Sequence, residues 1–184
     1  EGGSFGDLYG KRFARDANGK IIVDADGKPM AETGGLGYVG NPNPDFMLGF
    51  NNIITAGNFT FRVLIDGRFG GEVMSITQAM DDKFGVSLVS ADDRDNGGVA
   101  LDAVYEDGTP VNGLLNAQDF YTTVGGRGGI TEYYVYDATN VRLREFSVGY
   151  NFPLKSKLIK NFRLSFVSRN LFFFYLKAPY DPDI

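Results

Sequence analysis

Two pairs of long segments in this chain alternate between apolar and polar residues, and this pattern limits the fold more than any other feature. From Phe59 to Ile65 an aromatic or branched side chain occupies every second position, and the polar Thr60 and Arg62 lie between them. Side chains along a β-strand point alternately to opposite faces, so a period of two predicts strands that are apolar on one face. The pattern therefore predicts an all-β fold.

The alternating segments divide the chain into five parts. We expect hairpin and loop structure over 1–45, a strand hairpin over 46–69, a long loop over 70–140, a second strand hairpin over 141–176, and the start of a loop that is cut short over 177–184. The predicted apolar faces are Phe46, Leu48, Phe50 and Ile54; Phe59, Phe61, Val63 and Ile65; Phe146, Val148, Tyr150 and Phe152; and Phe162, Leu164 and Phe166. Ala56-Gly57-Asn58 leaves room only for a tight turn, so the first pair is antiparallel.

The long loop is expected to contain one short helix. Apolar residues at spacings of three and four favour a helix over Glu72–Phe84. The acidic stretch Asp92–Gly98 indicates a solvated loop, and its carboxylates Asp92, Asp93 and Asp95 are not expected to form a binding site.

Two turn sequences flank the short β run Ile21–Val23 near the start of the chain. Asp16–Lys20 and Asp24–Lys28 each contain an Asn-Gly or Asp-Gly pair, which suits tight turns. The second also resembles the opening of a calcium loop, but Gly35 stands where that loop needs a Glu. A hairpin turn is the preferred interpretation.

The composition narrows the range of possible functions. The chain of 184 residues favours one domain, and it has no Cys and no His, which excludes disulfides, Cys-ligated zinc, His-ligated metals and Ser-His-Asp catalysis. A net charge of −5 argues against a nucleic-acid partner. Most acidic residues lie in expected turns, without a pair of carboxylates on adjacent strands, so no enzyme, catalytic residue, cofactor or metal is predicted.

The same alternation of apolar and polar residues is compatible with a soluble β-sandwich and with a membrane β-barrel. Long strands, aromatic residues at strand ends and connections that alternate between short and long favour a barrel, whose apolar face contacts lipid. No apolar run reaches the ~20 residues of a transmembrane helix. The alternative is a soluble β-rich carbohydrate-binding or adhesion module, in which the apolar faces pack against each other in water.

Five segments, in order along the chain, have distinctive sequences. They are Gly40–Phe46 (GNPNPDF), Tyr134–Asn140 (YVYDATN), Val141–Pro153 (VRLREFSVGYNFP), Arg169–Phe172 (RNLF) and Tyr180–Asp183 (YDPD). Together and in this order they resemble the SusC/RagA-type TonB-dependent outer-membrane transporters of Bacteroidota. The resemblance covers the chain from residue 40 to residue 183.

The resemblance implies the C-terminal part of a large barrel in the outer membrane of a Gram-negative bacterium. Such a barrel has about 22 antiparallel strands in up-and-down order and is closed by an N-terminal plug domain. It would import oligosaccharides or peptides together with a SusD-type surface lipoprotein, driven by TonB acting on the plug. We expect this chain to lack the plug and the TonB-contacting segment.

The implied topology assigns roles to individual residues. The turns at Ala56-Gly57 and Pro153–Asn161 would face the periplasm, and the 70–140 loop the cell exterior. Tyr133, Tyr134 and Tyr136 in that loop are candidates to bind sugar rings, with a strand-end girdle or loop packing as the alternative. The candidates for lumen-facing charges are Arg62, Asp66, Glu145, Arg163 and Arg169.

Two further arginines are predicted to lie at the rim of the barrel and not in its lumen. Arg142 and Arg144 are spaced to share the face of Phe146 and Val148. A charge on the lipid face costs ~2–4 kcal/mol at the bilayer midplane, so we predict that both lie at the rim, outside the hydrocarbon.

Overall fold

The computed structural model describes residues 3–154 and 161–182. Its strands are β1 Leu8–Gly10, β2 Ile21–Val23, β3 Gly37–Gly40, β4 Phe46–Ala56, β5 Phe59–Phe69, β6 Glu72–Met74, β7 Ala103–Tyr105, β8 Val135–Asp137, β9 Asn140–Phe152 and β10 Phe162–Leu176. Its helices are α1 Ile76–Lys83, α2 Leu88–Asp95 and α3 Ala117–Val124, with a 3-10 helix over Thr131–Tyr134. The predicted mostly β, antiparallel fold with a short helix is confirmed.

The chain divides into two compact units, although its length alone favours one domain. The first unit runs to Pro42 and resumes over Val73–Val135, and the second consists of Asn43–Glu72 and the chain from Tyr136 onwards. Each unit is therefore built from two separate stretches of sequence.

The second unit is a four-stranded antiparallel sheet in the order β10-β9-β5-β4. Its register confirms the predicted apolar faces, because Phe50 lies opposite Ile65, and Phe61 lies between Ile54 and Val148. Strands β4 and β10 are the outer strands of this sheet, so the described residues form an open sheet, and a closed barrel is not shown.

The two hairpins of this sheet have strands of unusual length. Strands β4 and β5 have 11 residues each, β9 has 13 and β10 has 15. Gly57, at a φ of 59°, forms the tight turn between β4 and β5. The second predicted turn, Pro153–Asn161, falls largely on residues 155–160, which lie outside the described residues.

The first unit has a core centred on α3. Asn116 caps this helix by accepting a hydrogen bond from the backbone of Asp119 at 3.1 Å. The side chains that α3 buries are spaced by three and four, and they are Ala117, Phe120, Tyr121 and Val124. They belong to a core that also contains Phe13, Val23, Val99, Val104, Leu115, Ile130 and Tyr134. Within the described residues no helix is long and apolar enough to cross a membrane.

Two predictions for the 70–140 stretch were wrong in detail. The helix predicted over Glu72–Phe84 begins only at Ile76, because Glu72–Met74 pairs with β8 and Ser75 caps the helix with a hydrogen bond from Gln78. The acidic stretch predicted as a loop is mostly α2. Ser87 caps that helix, and the hydrophilic run Asp92–Asp95 inside it looks the same in sequence as a loop.

The turns near the start of the chain are confirmed. The Asp24 carboxylate accepts hydrogen bonds from the backbone of Asp26 and Lys28, each at 2.9 Å, so it closes a hairpin turn. One feature was not foreseen: β2 pairs in parallel with β7, about 80 residues further on. A three-residue strand has too few side chains to specify a distant partner by pattern.

Candidate functional site

One face of the four-stranded sheet is apolar and yet exposed. The side chains of this face that are at least half exposed include Phe46, Leu48, Phe50, Ile54, Leu164, Phe166 and Phe172. Leu164 is 63% exposed and Phe166 68% exposed. A water-soluble monomer rarely shows a contiguous apolar surface of this extent, so the face is suited to an apolar environment.

Aromatic side chains concentrate at both ends of this face. At one end the rings of Phe46 and Phe69 stack at a centroid distance of 4.6 Å. At the other end the rings of Phe59 and Tyr150 lie 4.6 Å apart, and Phe152 follows beside Tyr150 at 4.8 Å. Such aromatic bands flank the apolar belt of transmembrane β-barrels.

The opposite face of the sheet holds charges that pair across strands. Glu145 on β9 forms one ion pair with Arg62 of β5 at 3.7 Å and another with Arg169 of β10 at 3.1 Å. The register puts Arg62 opposite Ser147 and Arg169 opposite Glu145, which confirms that these side chains lie on one face. Three strands are thus joined through one carboxylate.

A β-bulge changes the direction of the arginines that precede Glu145. Leu64 pairs with Glu145, but the next residue, Ile65, pairs with Leu143, so β9 has one extra residue at this point. The extra residue reverses the alternation, and Arg142 pairs with Asp66 instead of sharing the face of Phe146. The prediction that Arg142 and Arg144 share the apolar face was therefore wrong.

Asp66 is the centre of a second ionic cluster beyond the bulge. Arg144 reaches this carboxylate at 2.6 Å and Arg142 at 3.8 Å. Arg142 also forms an ion pair of 3.2 Å with Asp181, and its guanidinium lies 4.9 Å from the ring centre of Phe173. Arg142 is only 2% exposed, so these partners replace the water that the charge would otherwise need.

Arg163 lies on the same face as the first charge cluster but further along the sheet. Its guanidinium runs over Gly149, where an added Cβ would lie 2.7 Å from Nε. The other polar-face candidates, Arg62, Asp66, Glu145 and Arg169, take part in the ion pairs given above. Sequence reasoning missed Arg142 and Arg144 as members of this face because a bulge leaves no signal in the alternation.

The three tyrosines proposed for sugar binding have different environments. Tyr134 is 1% exposed, and its ring meets Tyr133 edge-on at 5.1 Å, so it has no free face for a sugar ring. Tyr133 also packs against Phe120 at 5.3 Å. Tyr136 is half-buried against Tyr180 at 5.7 Å. The sugar-binding role is not supported for Tyr134 and stays a proposal for Tyr133 and Tyr136.

The ring of Tyr121 packs edge-on against Phe120 at 5.1 Å, so Tyr121 joins the cluster of Phe120, Tyr133 and Tyr134. Burial raises the pKa of Tyr121, and a hydrogen bond of 2.5 Å from its hydroxyl to Asp93 raises it further. Burial also raises the pKa of Tyr133. Both phenols therefore stay protonated and act as packing and hydrogen-bonding groups.

An ion pair joins the two segments that border the sheet strands β9 and β10. Lys177 donates a hydrogen bond of 2.6 Å to Asp137, and the backbone of Lys177 also donates to Thr139 at 3.1 Å. The Lys177 contact is the main cause that lowers the pKa of Asp137 to about 2. The entry to β9 and the exit from β10 are fixed together by these contacts.

An antiparallel sheet with one exposed apolar face, aromatic bands at its ends and ion pairs on its other face has the features of a transmembrane β-barrel wall. The comparisons with known proteins agree with this class. The chain is 29% identical over 171 residues to the TonB-dependent receptor P3 of Formosa agariphila. That alignment covers 91% of this chain and 16% of the receptor. No protein-family profile matches the chain.

A solved structure gives the same result at the level of the fold. The chain is similar to the RagAB peptide importer in the "open-open" state, with a TM-score of 0.52 and 13% identity over 95% of this chain and 19% of that chain. The resemblance of the sequence to TonB-dependent transporters is therefore confirmed, and the likeness to the RagAB importer is one of fold. The two relatives are a receptor and an importer and not enzymes, and this chain spans less than a fifth of either.

Proposed function

We propose that this chain forms the C-terminal part of the barrel wall of a TonB-dependent transporter in the outer membrane of a Gram-negative bacterium. The apolar face of the four-stranded sheet contacts lipid, and the face with Glu145 and Asp66 lines the lumen. The observation that supports this proposal best is the exposed apolar face, because contact of these side chains with water is unfavourable and contact with lipid is not.

The dimensions of the sheet support the proposal. A strand tilted by ~45° needs ~9–11 residues to cross the hydrocarbon, and the shortest strands of the sheet have 11. The aromatic bands at the two ends fall where the bilayer interfaces would lie. The charged residues Arg62, Asp66, Glu145, Arg163 and Arg169 would then be solvated by the water of the lumen.

The transport role is proposed for the whole protein to which such a wall belongs. It would import oligosaccharides or peptides with a SusD-type lipoprotein as partner, and TonB would act through a plug domain. In this arrangement the Ala56-Gly57 turn faces the periplasm and residues 70–140 lie outside the cell. The helices of that stretch, together with Tyr133 and Tyr136, would be available to substrate or to the lipoprotein.

Extraction of the natively expressed polypeptide tests this proposal. We expect the polypeptide in the outer-membrane fraction, resistant to carbonate and released by detergent as a species much larger than 20.1 kDa. A monodisperse species of this mass in the soluble fraction would contradict the lipid-facing assignment. That result would favour the alternative, a soluble carbohydrate-binding or adhesion module.

A further inference from the structure

The first unit contains a cavity among α1, α2 and α3. Its volume is about 430 Å³, within the range of small-molecule sites. The side chains that give it chemical character are Asp82, Phe84, Ser90, Arg94, Gln118 and Tyr121. Asp82 is the only acidic residue among the described residues that line the cavity.

Within the described residues, the carboxylate of Asp82 is buried without a counter-charge. Asp82 is 2% exposed, and its Oδ1 accepts a hydrogen bond of 2.6 Å from the Gln78 amide one turn earlier. No Lys or Arg within the described part of the chain forms an ion pair with it. Buried carboxylates are normally paired, because an isolated buried charge costs several kcal/mol.

The position of Asp82 in its helix adds to this cost. It lies in the last turn of α1, where the partial negative charge of the helix end disfavours a carboxylate. The Gln78 amide is neutral and satisfies one oxygen only. A cationic group in the cavity would compensate the charge.

The two cationic side chains that line the cavity, Lys83 and Arg94, contact other groups and not Asp82. The side chain of Lys83 runs along Gly126, where an added Cβ would lie 3.2 Å from Nζ. Arg94 forms an ion pair of 3.7 Å with Asp95. The Tyr121 hydroxyl donates to Asp93 and is also committed. A cationic group that enters the cavity could therefore form an ion pair with Asp82 without competing with these side chains.

We propose that this cavity binds a small ligand through a primary ammonium group, which pairs with Asp82. The exposed ring of Phe84, 68% accessible, offers an apolar and π surface at the cavity. Gln118 supplies an amide for the polar groups of the ligand. The ammonium group has two natural sources, the amino terminus of a short peptide and an amino sugar. This inference does not depend on the proposed membrane role.

Calorimetric titration of the intact polypeptide with two matched pairs of compounds tests the proposal. The pairs are alanyl-alanine with its N-acetyl form, and glucosamine with N-acetylglucosamine, at a mildly acidic pH that keeps both amines protonated. We expect one amine to bind at least about tenfold more tightly than its acetylated partner, because acetylation removes the charge. The pair that shows this difference identifies the source.

Variants connect the binding to the cavity. Asp82→Asn should abolish the preference for the amine, whereas Asp92→Asn, which removes an exposed carboxylate outside the cavity lining, should leave it unchanged. Thr122→Lys places a competing ammonium group at the exposed lining position 122 and should weaken binding about tenfold, and the neutral Thr122→Gln should not.

Two results would overturn the proposal. One is the absence of any preference for the amine in both pairs. The other is equal amine binding by the wild-type protein and Asp82→Asn. If Asp82→Asn does not fold, the comparison of Thr122→Lys with Thr122→Gln decides the question, and equal affinities there count against the cavity.

Discussion

Arg144 donates two hydrogen bonds to a single carboxylate oxygen of Asp66, one from Nε at 2.9 Å and one from Nη2 at 2.6 Å. The two residues lie on neighbouring strands, at the bulge that reverses the side-chain alternation of β9. The bulge brings Arg142 to the same carboxylate. The polar face of the sheet is therefore organised around Asp66 as well as Glu145.

Replacement of Asp66 by asparagine should destabilise the sheet. The change leaves the buried Arg142 with less compensation and removes the charge that Arg144 holds, for which we expect a loss of about 1–3 kcal/mol in the free energy of unfolding. Denaturant titration of the solubilised protein measures it. Arg169→Gln breaks the pair of a 74% exposed side chain with Glu145 and should cost less than about 1 kcal/mol. Equal effects of the two variants would contradict this ranking.

Two adjacent glycines should respond very differently to alanine. At Gly129 an added Cβ would lie 2.0 Å from the carbonyl oxygen of Val124 and 2.5 Å from that of Gly125, so the end of α3 would have to move. At Gly128 nothing lies within 4 Å of the added atom. We expect Gly129→Ala to lower the thermal midpoint of the first unit by several degrees and Gly128→Ala to leave it within error. Similar midpoints would show that the backbone here adjusts freely.

The ion pair between Asp137 and Lys177 should give an acid-dependent contribution to stability. The folded-state pKa of Asp137 is lowered from 3.8 to about 2, so the contribution is present above the unfolded value of 3.8 and is lost as the pH falls through about 2. Lys177→Met should therefore unfold more easily than the wild-type protein at neutral pH, with the difference shrinking between these two pH values. A difference that stays constant across this range would exclude the ion pair as its cause.

Arginine should be tolerated on one face of β4 only. Phe50 lies on the apolar face near the middle of the strand, and its neighbour Asn51 lies on the opposite face. We expect Phe50→Arg to cost ~2–4 kcal/mol of folding free energy in lipid vesicles, and Asn51→Arg to cost little. Denaturant titration in vesicles of both variants provides the comparison. An equal cost at the two positions would indicate that the strand has no lipid-facing side.

The sequence was sufficient to predict the strands of the sheet but not the β-bulge that reverses the side-chain alternation in β9. The faces predicted for Phe59–Ile65 and Phe162–Phe166 are those of the structure, because a period of two is directly visible in the residues. The bulge at Arg144 has no such signal. It depends on how β9 pairs with β5 and β10, and a second irregularity lies across from it in β10, where Asn170 has a φ of 50°.

The helical part of the chain was predicted less completely, and one omission was avoidable. Helix α3 has a capping Asn116 followed by Ala117, Phe120, Tyr121 and Val124 at helical spacing, so both a start signal and an apolar face were present. Helix α2 has little apolar face, and only its serine cap distinguishes it from a loop. The isolated buried carboxylate of Asp82 depends on tertiary packing and could not be predicted from neighbours in sequence.

The accessibility of two adjacent positions on β10 tests most directly whether the sheet separates lipid from water. Leu164 lies on the apolar face and Ser165 on the polar face, and the chain has no cysteine that would compete for a label. Nitroxides at Leu164→Cys and Ser165→Cys are compared in the protein reconstituted in bilayers. We expect the label at 164 to be relaxed by oxygen and shielded from a water-soluble nickel complex, with the reverse at 165. Equal access of the nickel complex to both positions would contradict the lipid-facing assignment.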